Sequence, residues 1–166
     1  MALTANTFPT IGQTRNKLAF RVKDAETIFA GAFVALAGPS HATADGYALN
    51  YVADVAGIIP CGWALQKVVG NISATPVPEV EVDIGGRLVE KCAVTGAAGD
   101  ITDVGKPVYL TDNGTFTLTA PTSGQRRVKI GYVTQFVSAG VADVYTFSFA
   151  ELLALYHATN GEIPAV

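Results

Sequence analysis

Few side chains in this sequence could do chemistry, and their spacing does not form a recognisable catalytic or metal-binding pattern. The two histidines, His41 and His157, are far apart in the chain, and the two cysteines, Cys61 and Cys92, form no CxxC pair. A zinc site needs several such ligands at short, characteristic spacings. The sequence also lacks the GxSxG, HExxH, GxxxxGK[ST] and GxGxxG motifs. We therefore predict that the chain is not an enzyme and binds no metal and no cofactor.

The remaining candidate ligands have simpler structural interpretations. Asp100, Asp103 and Asp112 could supply oxygen atoms to calcium, but their spacing differs from that of an EF-hand loop, and aspartate is common in turns. The isolated cysteines are typical of buried free thiols. A disulfide between Cys61 and Cys92 stays open at this point, because it depends on their distance in the fold.

The composition favours a protein that covers apolar surface with a partner. Of the 166 residues, 49% are hydrophobic and only 15% are charged, which supplies ample core material and little solvated surface. The net charge of −3 argues against a nucleic-acid partner, and the one basic cluster, Arg126, Arg127 and Lys129, is interpreted as a local ion pair or interface contact. Neither a transmembrane run nor a signal peptide is present, which predicts synthesis and assembly inside a cell without a membrane partner.

The clearest structural signal is a β-hairpin at residues 105–119. Val108 and Leu110 alternate with Tyr109 along the first strand, and the returning strand alternates threonine with large apolar residues. This pattern predicts one buried and one solvated face. Asp112, Asn113 and Gly114 form the predicted structural turn, with Gly114 expected at positive φ.

Similar segments occur earlier in the chain with a near-constant offset of about 70 residues. The matched pairs are residues 31–36 with 105–110, residues 46–49 with 114–118, and residues 61–64 with 130–133. We interpret them as two related hairpin units, while chance self-matching of glycine- and valine-rich β sequence is the alternative. The predicted fold is all-β, a small barrel or sandwich.

The domain organisation follows from shifts in this pattern. Residues 1–17 are polar and irregular and predict an N-terminal arm, whereas residues 18–166 form a β-rich domain. Prolines near residues 76–78 place any boundary between lobes there, giving lobes at 18–70 and 78–149. The arm either lies free or becomes ordered against a neighbouring subunit.

One short helix is predicted at residues 149–158. Ser148 and Glu151 have the spacing of a capping box, and an apolar stripe follows on one helical face. The stripe closes the bottom of a barrel, which we favour, or docks on another subunit. The residues predicted to make core or subunit contacts are Trp63, Tyr109, Phe149, Leu152 and Tyr156.

Several segments of the sequence resemble segments of the head decoration, or capsid cement, proteins of tailed bacteriophages. These are AETIFAG, GYAL, ITDVGKPVYLTDNGTFTLT and IGYV, with the best match over residues 105–133. The long link at residues 68–82 and the C-terminal helix depart from the shortest members of that family. The resemblance implies a β-tulip-like variant of the small barrel.

The resemblance also implies a structural function. Such a protein binds the outer surface of the phage capsid between major capsid proteins, stabilises the expanded head, is made in the host cytoplasm and is a homo-oligomer, with a trimer favoured. Phe8, Pro9, Ile11 and Arg15 of the arm are the expected capsid-binding residues.

A carbohydrate-binding or adhesive β module is the alternative function. Such a module needs aromatic side chains exposed on one flat face, and the candidates are Tyr47, Tyr51, Trp63 and Tyr109.

Overall fold

The computed structural model describes residues 16–53, 55–120 and 129–159, and this part of the chain is all-β with one C-terminal helix, as predicted. The strands are β1 (Lys17–Arg21), β2 (Thr27–Ile28), β3 (Phe33–Ala37), β4 (Ala48–Asn50), β5 (Ile58–Ala64), β6 (Val68–Val69), β7 (Glu79–Asp83), β8 (Arg87–Thr95), β9 (Pro107–Leu110), β10 (Phe116–Thr117), β11 (Gly131–Ser138) and β12 (Val141–Thr146). A 3-10 helix spans Ile101–Asp103, and the α-helix, α1, spans Phe149–Thr159.

Ten of these strands form two five-stranded arrays with the same topology. The first array, which we call the N-terminal sheet, has the order β1-β7-β5-β3-β4. The second, the C-terminal barrel, has the order β8-β12-β11-β9-β10 and closes where β10 pairs in parallel with β8. A single parallel bridge between Val22 and Ala48 joins the corresponding edges of the N-terminal sheet. β2 and β6 pair separately.

The strand registers, like the strand order, agree between the two arrays. Val34 of β3 lies opposite Gly62 of β5, and Val108 of β9 lies opposite Gly131 of β11. The predicted hairpin units therefore appear as two three-stranded groups, β4-β3-β5 and β10-β9-β11. β7, which follows the predicted lobe boundary, pairs with β1 and β5 in the N-terminal sheet.

Two apolar clusters fill the fold. The smaller contains residues of the N-terminal unit only, among them Val34, Cys61 and Val82. The larger combines residues of both units, including Phe33 of β3 and Val108 of β9. Because one cluster is built from both arrays, the two units share part of their hydrophobic stabilisation.

The helix begins with the predicted capping box. The backbone N–H and the hydroxyl of Ser148 donate to Oε2 of Glu151 at 2.8 and 2.7 Å, and the Glu151 N–H donates to the Ser148 hydroxyl at 3.4 Å. Leu152 and Tyr156 are buried, and the main contact of the helix is with β5. The apolar stripe therefore packs within the chain, on the N-terminal sheet. No helix in the described part of the chain is long and apolar enough to cross a membrane.

The hairpin at residues 105–119 forms, with β9 antiparallel to β10, but one prediction about it is wrong and another holds only in part. Gly114 does not have a positive φ, because the turn uses side-chain acceptors instead. The predicted solvated face is exposed at Thr111, Thr115 and Thr119 but buried at Thr117. Thr117 lies opposite Tyr109, which was predicted to make core or subunit contacts and is buried.

Most of the predicted arm lies outside the described residues, including Phe8, Pro9, Ile11 and Arg15. The last arm residue, Lys17, is the first residue of β1.

Candidate interaction surface

The two thiols are unsuited to nucleophilic chemistry. Cys61 and Cys92 are both free and buried. Burial raises the pKa of Cys61 to about 12 and that of Cys92 to about 11, so both thiols are protonated near neutral pH. The Cys92 thiol donates to the backbone carbonyl of Ala142 at 3.1 Å.

The three central aspartates each stabilise local backbone. Asp100 accepts from the Thr102 N–H at 2.8 Å and caps the 3-10 helix. Asp103 is fully buried and accepts from the Gly99 N–H at 2.6 Å and from the Lys106 ammonium at 2.9 Å. These hydrogen bonds, that of Lys106 first, lower the pKa of Asp103 to about 2. Within the described residues, no group of three or more His, Cys, Asp or Glu side chains could hold a metal ion.

Asp112 organises the predicted turn and Asn113 attaches it to the other unit. The Asp112 carboxylate accepts from the backbone N–H groups of Gly114 and Thr115 at 2.9 and 2.8 Å. The carbonyl of Asn113 accepts from the Phe33 N–H at 2.7 Å, and its side-chain amide donates to Asn50 at 2.6 Å. The tip of the C-terminal hairpin is therefore hydrogen-bonded to the N-terminal sheet. No local sequence pattern predicts this contact.

Trp63 is the central side chain of the contact between the two units. Its ring is buried and lies 4.9 Å from the ring centroid of Phe33 and 5.8 Å from that of Phe116. The indole N–H donates to the hydroxyl of Thr146 at 3.4 Å, and the guanidinium of Arg87 lies over the ring. Trp63 therefore packs between β3 of its own sheet and three strands of the C-terminal barrel, β8, β10 and β12.

The other residues predicted to make core or subunit contacts lie in different places. Tyr109 is buried on β9, Leu152 and Tyr156 are buried on the helix, and Phe149, at the start of the helix, is half-buried and packs against the smaller apolar cluster. The structure does not bring these four residues together at one surface site.

An exposed apolar row crosses the outside of the C-terminal barrel. Leu88 of β8 lies opposite Tyr145 of β12, which lies opposite Tyr132 of β11. Their side chains are 44%, 39% and 37% exposed. The neighbouring residues Val133 and Val144 are buried, so strand alternation directs the row outward. We call Leu88, Tyr145 and Tyr132 the outer apolar row.

This row was not predicted from the sequence as a site. Its only signal was the apolar character of both faces of β12, in which Tyr145 alternates with the buried Val144. Which outward residues of different strands lie side by side depends on the pairing of β8, β12 and β11.

The aromatic residues that would serve a carbohydrate platform are mostly inside the protein. Trp63, Tyr51 and Tyr109 are all less than a tenth exposed, and Tyr47 is half-buried. A sugar ring that stacks on protein needs an accessible aromatic face. These four residues therefore provide no such platform.

The chain was compared with known protein families, curated proteins and solved structures. No protein-family model matches the sequence. A search of curated proteins also finds no match. Among solved structures, the N base of the head fiber gp8.5 of bacteriophage phi29 is similar, with a TM-score of 0.42 and 17% sequence identity over 78% of this chain and 93% of that chain.

Proposed function

We propose that this chain is a structural virion protein of a tailed bacteriophage, which binds the outer surface of the capsid between major capsid proteins and stabilises the expanded head. The observation that carries the proposal is the outer apolar row on the C-terminal barrel, in a chain of which only 15% of the residues are charged. Leu88, Tyr132 and Tyr145 present aromatic and aliphatic surface in the mixture that protein interfaces favour. The resemblance of residues 105–133 to capsid cement proteins supports the same function.

In the proposed mechanism, binding of this protein is coupled to assembly of the capsid shell. A protein that binds the assembled shell and not its dissociated subunits stabilises the shell by mass action. Repetition of the contact over a symmetric lattice makes the total effect large even when each contact is modest. In this proposal the partners are the major capsid protein and further copies of the chain, as a homo-oligomer with a trimer favoured. Nucleic acid, membranes, metals and cofactors have no part, and the protein acts without catalysis at the capsid surface.

Capsid binding is tested with expanded capsids that lack this protein. We expect purified protein to cosediment with the capsids until saturation, and electron microscopy to show density between major capsid proteins. The decorated capsids should also resist heating better than bare capsids. Shells that stay bare at saturating protein would refute the proposal.

The arm is proposed to add binding energy by pairing its backbone with a capsid protein. Deletion of residues 1–15 tests this, because it leaves Asn16, whose carbonyl accepts from the Ile84 N–H at 2.8 Å, and the whole of β1 in place. We expect an unchanged melting temperature and weaker capsid binding. Substitution of Phe8 and Ile11 together by serine should reproduce the loss, whereas unchanged affinity in both variants would exclude the arm from the contact.

A further inference from the structure

We propose that Asn113 is a deamidation site whose reaction is blocked while the two units are in contact and whose product prevents that contact from re-forming. Gly114 follows Asn113 in the sequence, and an asparagine before glycine loses its side-chain amide most readily, because glycine has no side chain to hinder the attacking nitrogen. The inference goes beyond the proposed function and does not depend on a capsid. It is carried by the hydrogen bonds between Asn113 and the N-terminal sheet.

Deamidation at this site is an internal substitution that consumes one water molecule. The backbone nitrogen of Gly114 loses its proton to base and attacks Cγ of Asn113. The new C–N bond forms, the bond from Cγ to Nδ2 breaks, and Nδ2 takes up a proton and leaves as ammonia. Water then opens the five-membered succinimide and gives either aspartate or isoaspartate. Nothing is oxidised or reduced, and an amide is replaced by a carboxylate.

In the folded chain, both reacting groups are hydrogen-bonded to other partners. The Gly114 N–H donates to Oδ1 of Asp112 at 2.9 Å, and the negative charge of that carboxylate disfavours loss of the proton from the nitrogen. The Asn113 side-chain amide donates to Oδ1 of Asn50 at 2.6 Å, and the Asn113 carbonyl accepts from the Phe33 N–H at 2.7 Å. The attack needs both groups to leave these partners, so it proceeds when the hairpin tip separates from the N-terminal sheet.

The surroundings of Asn50 require a hydrogen-bond donor at position 113. The Asn50 Nδ2 donates to Oε1 of Glu26 at 2.5 Å and to the carbonyl of Thr27 at 2.9 Å. Both amide hydrogens of Asn50 are thereby used, so its Oδ1 is the atom that faces Asn113. Turning the Asn50 amide over would bring its nitrogen toward residue 113 but would break both of these bonds. The N-terminal unit therefore fixes the orientation of the amide that Asn113 contacts.

The product of deamidation cannot make the same contact. An ionised aspartate at position 113 only accepts hydrogen bonds, so its carboxylate would face the Asn50 Oδ1, another acceptor, at a half-buried site. The Glu26 carboxylate, which accepts from the same Asn50 amide, adds a second negative charge nearby. Isoaspartate also lengthens the backbone of the turn and displaces the carbonyl that accepts from Phe33. Separation of the units followed by deamidation is therefore a one-way change.

Peptide mapping of the full chain by mass spectrometry tests the protection. The protein is kept folded at mildly alkaline pH, and residue 113 is followed separately from Asn160–Gly161, the other Asn–Gly pair of the sequence. A synthetic peptide of residues 107–119 gives the rate without the fold. We expect residue 113 to react at least about tenfold more slowly in the protein than in the peptide, since a protected site reacts only from an opened state. Equal rates would overturn the inference.

Asn50→Ala tests whether the contact between the units provides the protection. It removes the acceptor of the Asn113 amide and should raise the deamidation rate toward that of the free peptide. Asp143→Ala is the control, because it also removes a side-chain acceptor, that of the Lys91 N–H at 2.7 Å, but between β8 and β12. It should leave the rate unchanged, with circular dichroism confirming that both variants are folded. A folded Asn50→Ala protein that reacts no faster than Asp143→Ala would contradict the inference.

A second pair of variants tests the product and does not depend on Asn50→Ala. Asn113→Asp carries one product of deamidation from the start and should have a lower melting temperature than the wild type. Asn71→Asp is the matched control, because the Asn71 Oδ1 accepts from the Ser73 N–H at 3.1 Å, a bond that aspartate can also make. It should leave the melting temperature unchanged. Equal melting temperatures for the two variants would show that a carboxylate at position 113 does not disturb the contact, and the inference would be wrong.

Discussion

The guanidinium of Arg87 lies over the indole ring of Trp63, with its Cζ 4.7 Å from the ring centroid, and so links the C-terminal barrel to the N-terminal sheet. Burial lowers the pKa of Arg87, and the charge of Asp83, 3.8 Å away, opposes that shift. The Arg87 Nε has no hydrogen-bond partner among the described residues. The ring face and the Asp83 carboxylate are therefore the groups that compensate for the burial of the charge.

Arg87→Ala should destabilise the protein by about 2 kcal/mol, the size expected for a desolvated cation–π contact. Equilibrium urea unfolding measures the loss. Arg21→Ala is the control, because the Arg21–Glu79 pair is 3.9 Å long and solvent-exposed, and such pairs contribute about 0–1 kcal/mol. Equal losses in the two variants would show that the stacking on Trp63 adds nothing.

Asp112, and not Gly114, should determine the stability of the hairpin turn. Asp112→Ala removes the acceptor of two backbone N–H groups and should cost about 1 kcal/mol. Gly114→Ala should stay within about 0.5 kcal/mol of wild type, because Gly114 is not at positive φ and a Cβ there meets no atom within 4 Å. Thermal unfolding ranks the two variants, and a lower melting temperature for Gly114→Ala would contradict the turn geometry.

Local patterns in the sequence predicted the elements of this fold. Alternation of apolar residues around Val108 gave the hairpin, and the spacing of Ser148 and Glu151 gave the start of the helix. The repeated glycine–aromatic pairs, Gly62–Trp63 and Gly131–Tyr132, marked two units that have the same strand order. Each of these signals depends on residues a few positions apart, so a single sequence carries it.

The contacts between the units could not be predicted in the same way. Asn113 hydrogen-bonds to Phe33 and Asn50, and Trp63 contacts Arg87, yet no spacing in the chain pairs residues so far apart. Alternation also shows that a strand has two faces without showing what packs on each, which is why Thr117 was expected on the solvated face of the hairpin and is buried. The outer apolar row was missed because its members come from three strands.

Asp103 should make the stability of the protein decrease at acid pH. Its pKa in the folded protein, about 2, is below the usual value of about 4 in an unfolded chain. The Asp103 carboxylate therefore binds a proton less readily in the folded state than in the unfolded state. Its contribution to the free energy of unfolding is fully present above about pH 4 and is lost as the pH falls toward 2. Melting temperatures between pH 6 and pH 2 should decrease less steeply for Asp103→Asn than for wild type. Parallel curves for the two proteins would show that Asp103 makes no such contribution.

Gly62 and Gly131 should be equally intolerant of a side chain, which tests the equivalence of the two arrays. A Cβ at Gly62 would lie 2.1 Å from the carbonyl oxygen of Asp83 on β7, and one at Gly131 would lie 1.9 Å from that of Tyr145 on β12. Both oxygens are backbone atoms of the paired strand, so the strands must separate to relieve the overlap. Gly62→Ala and Gly131→Ala should each destabilise the protein by about 2 kcal/mol or more, measured by urea unfolding against Gly114→Ala, whose Cβ has open space. A variant at either site as stable as Gly114→Ala would mean that the two arrays do not share this close approach of paired strands.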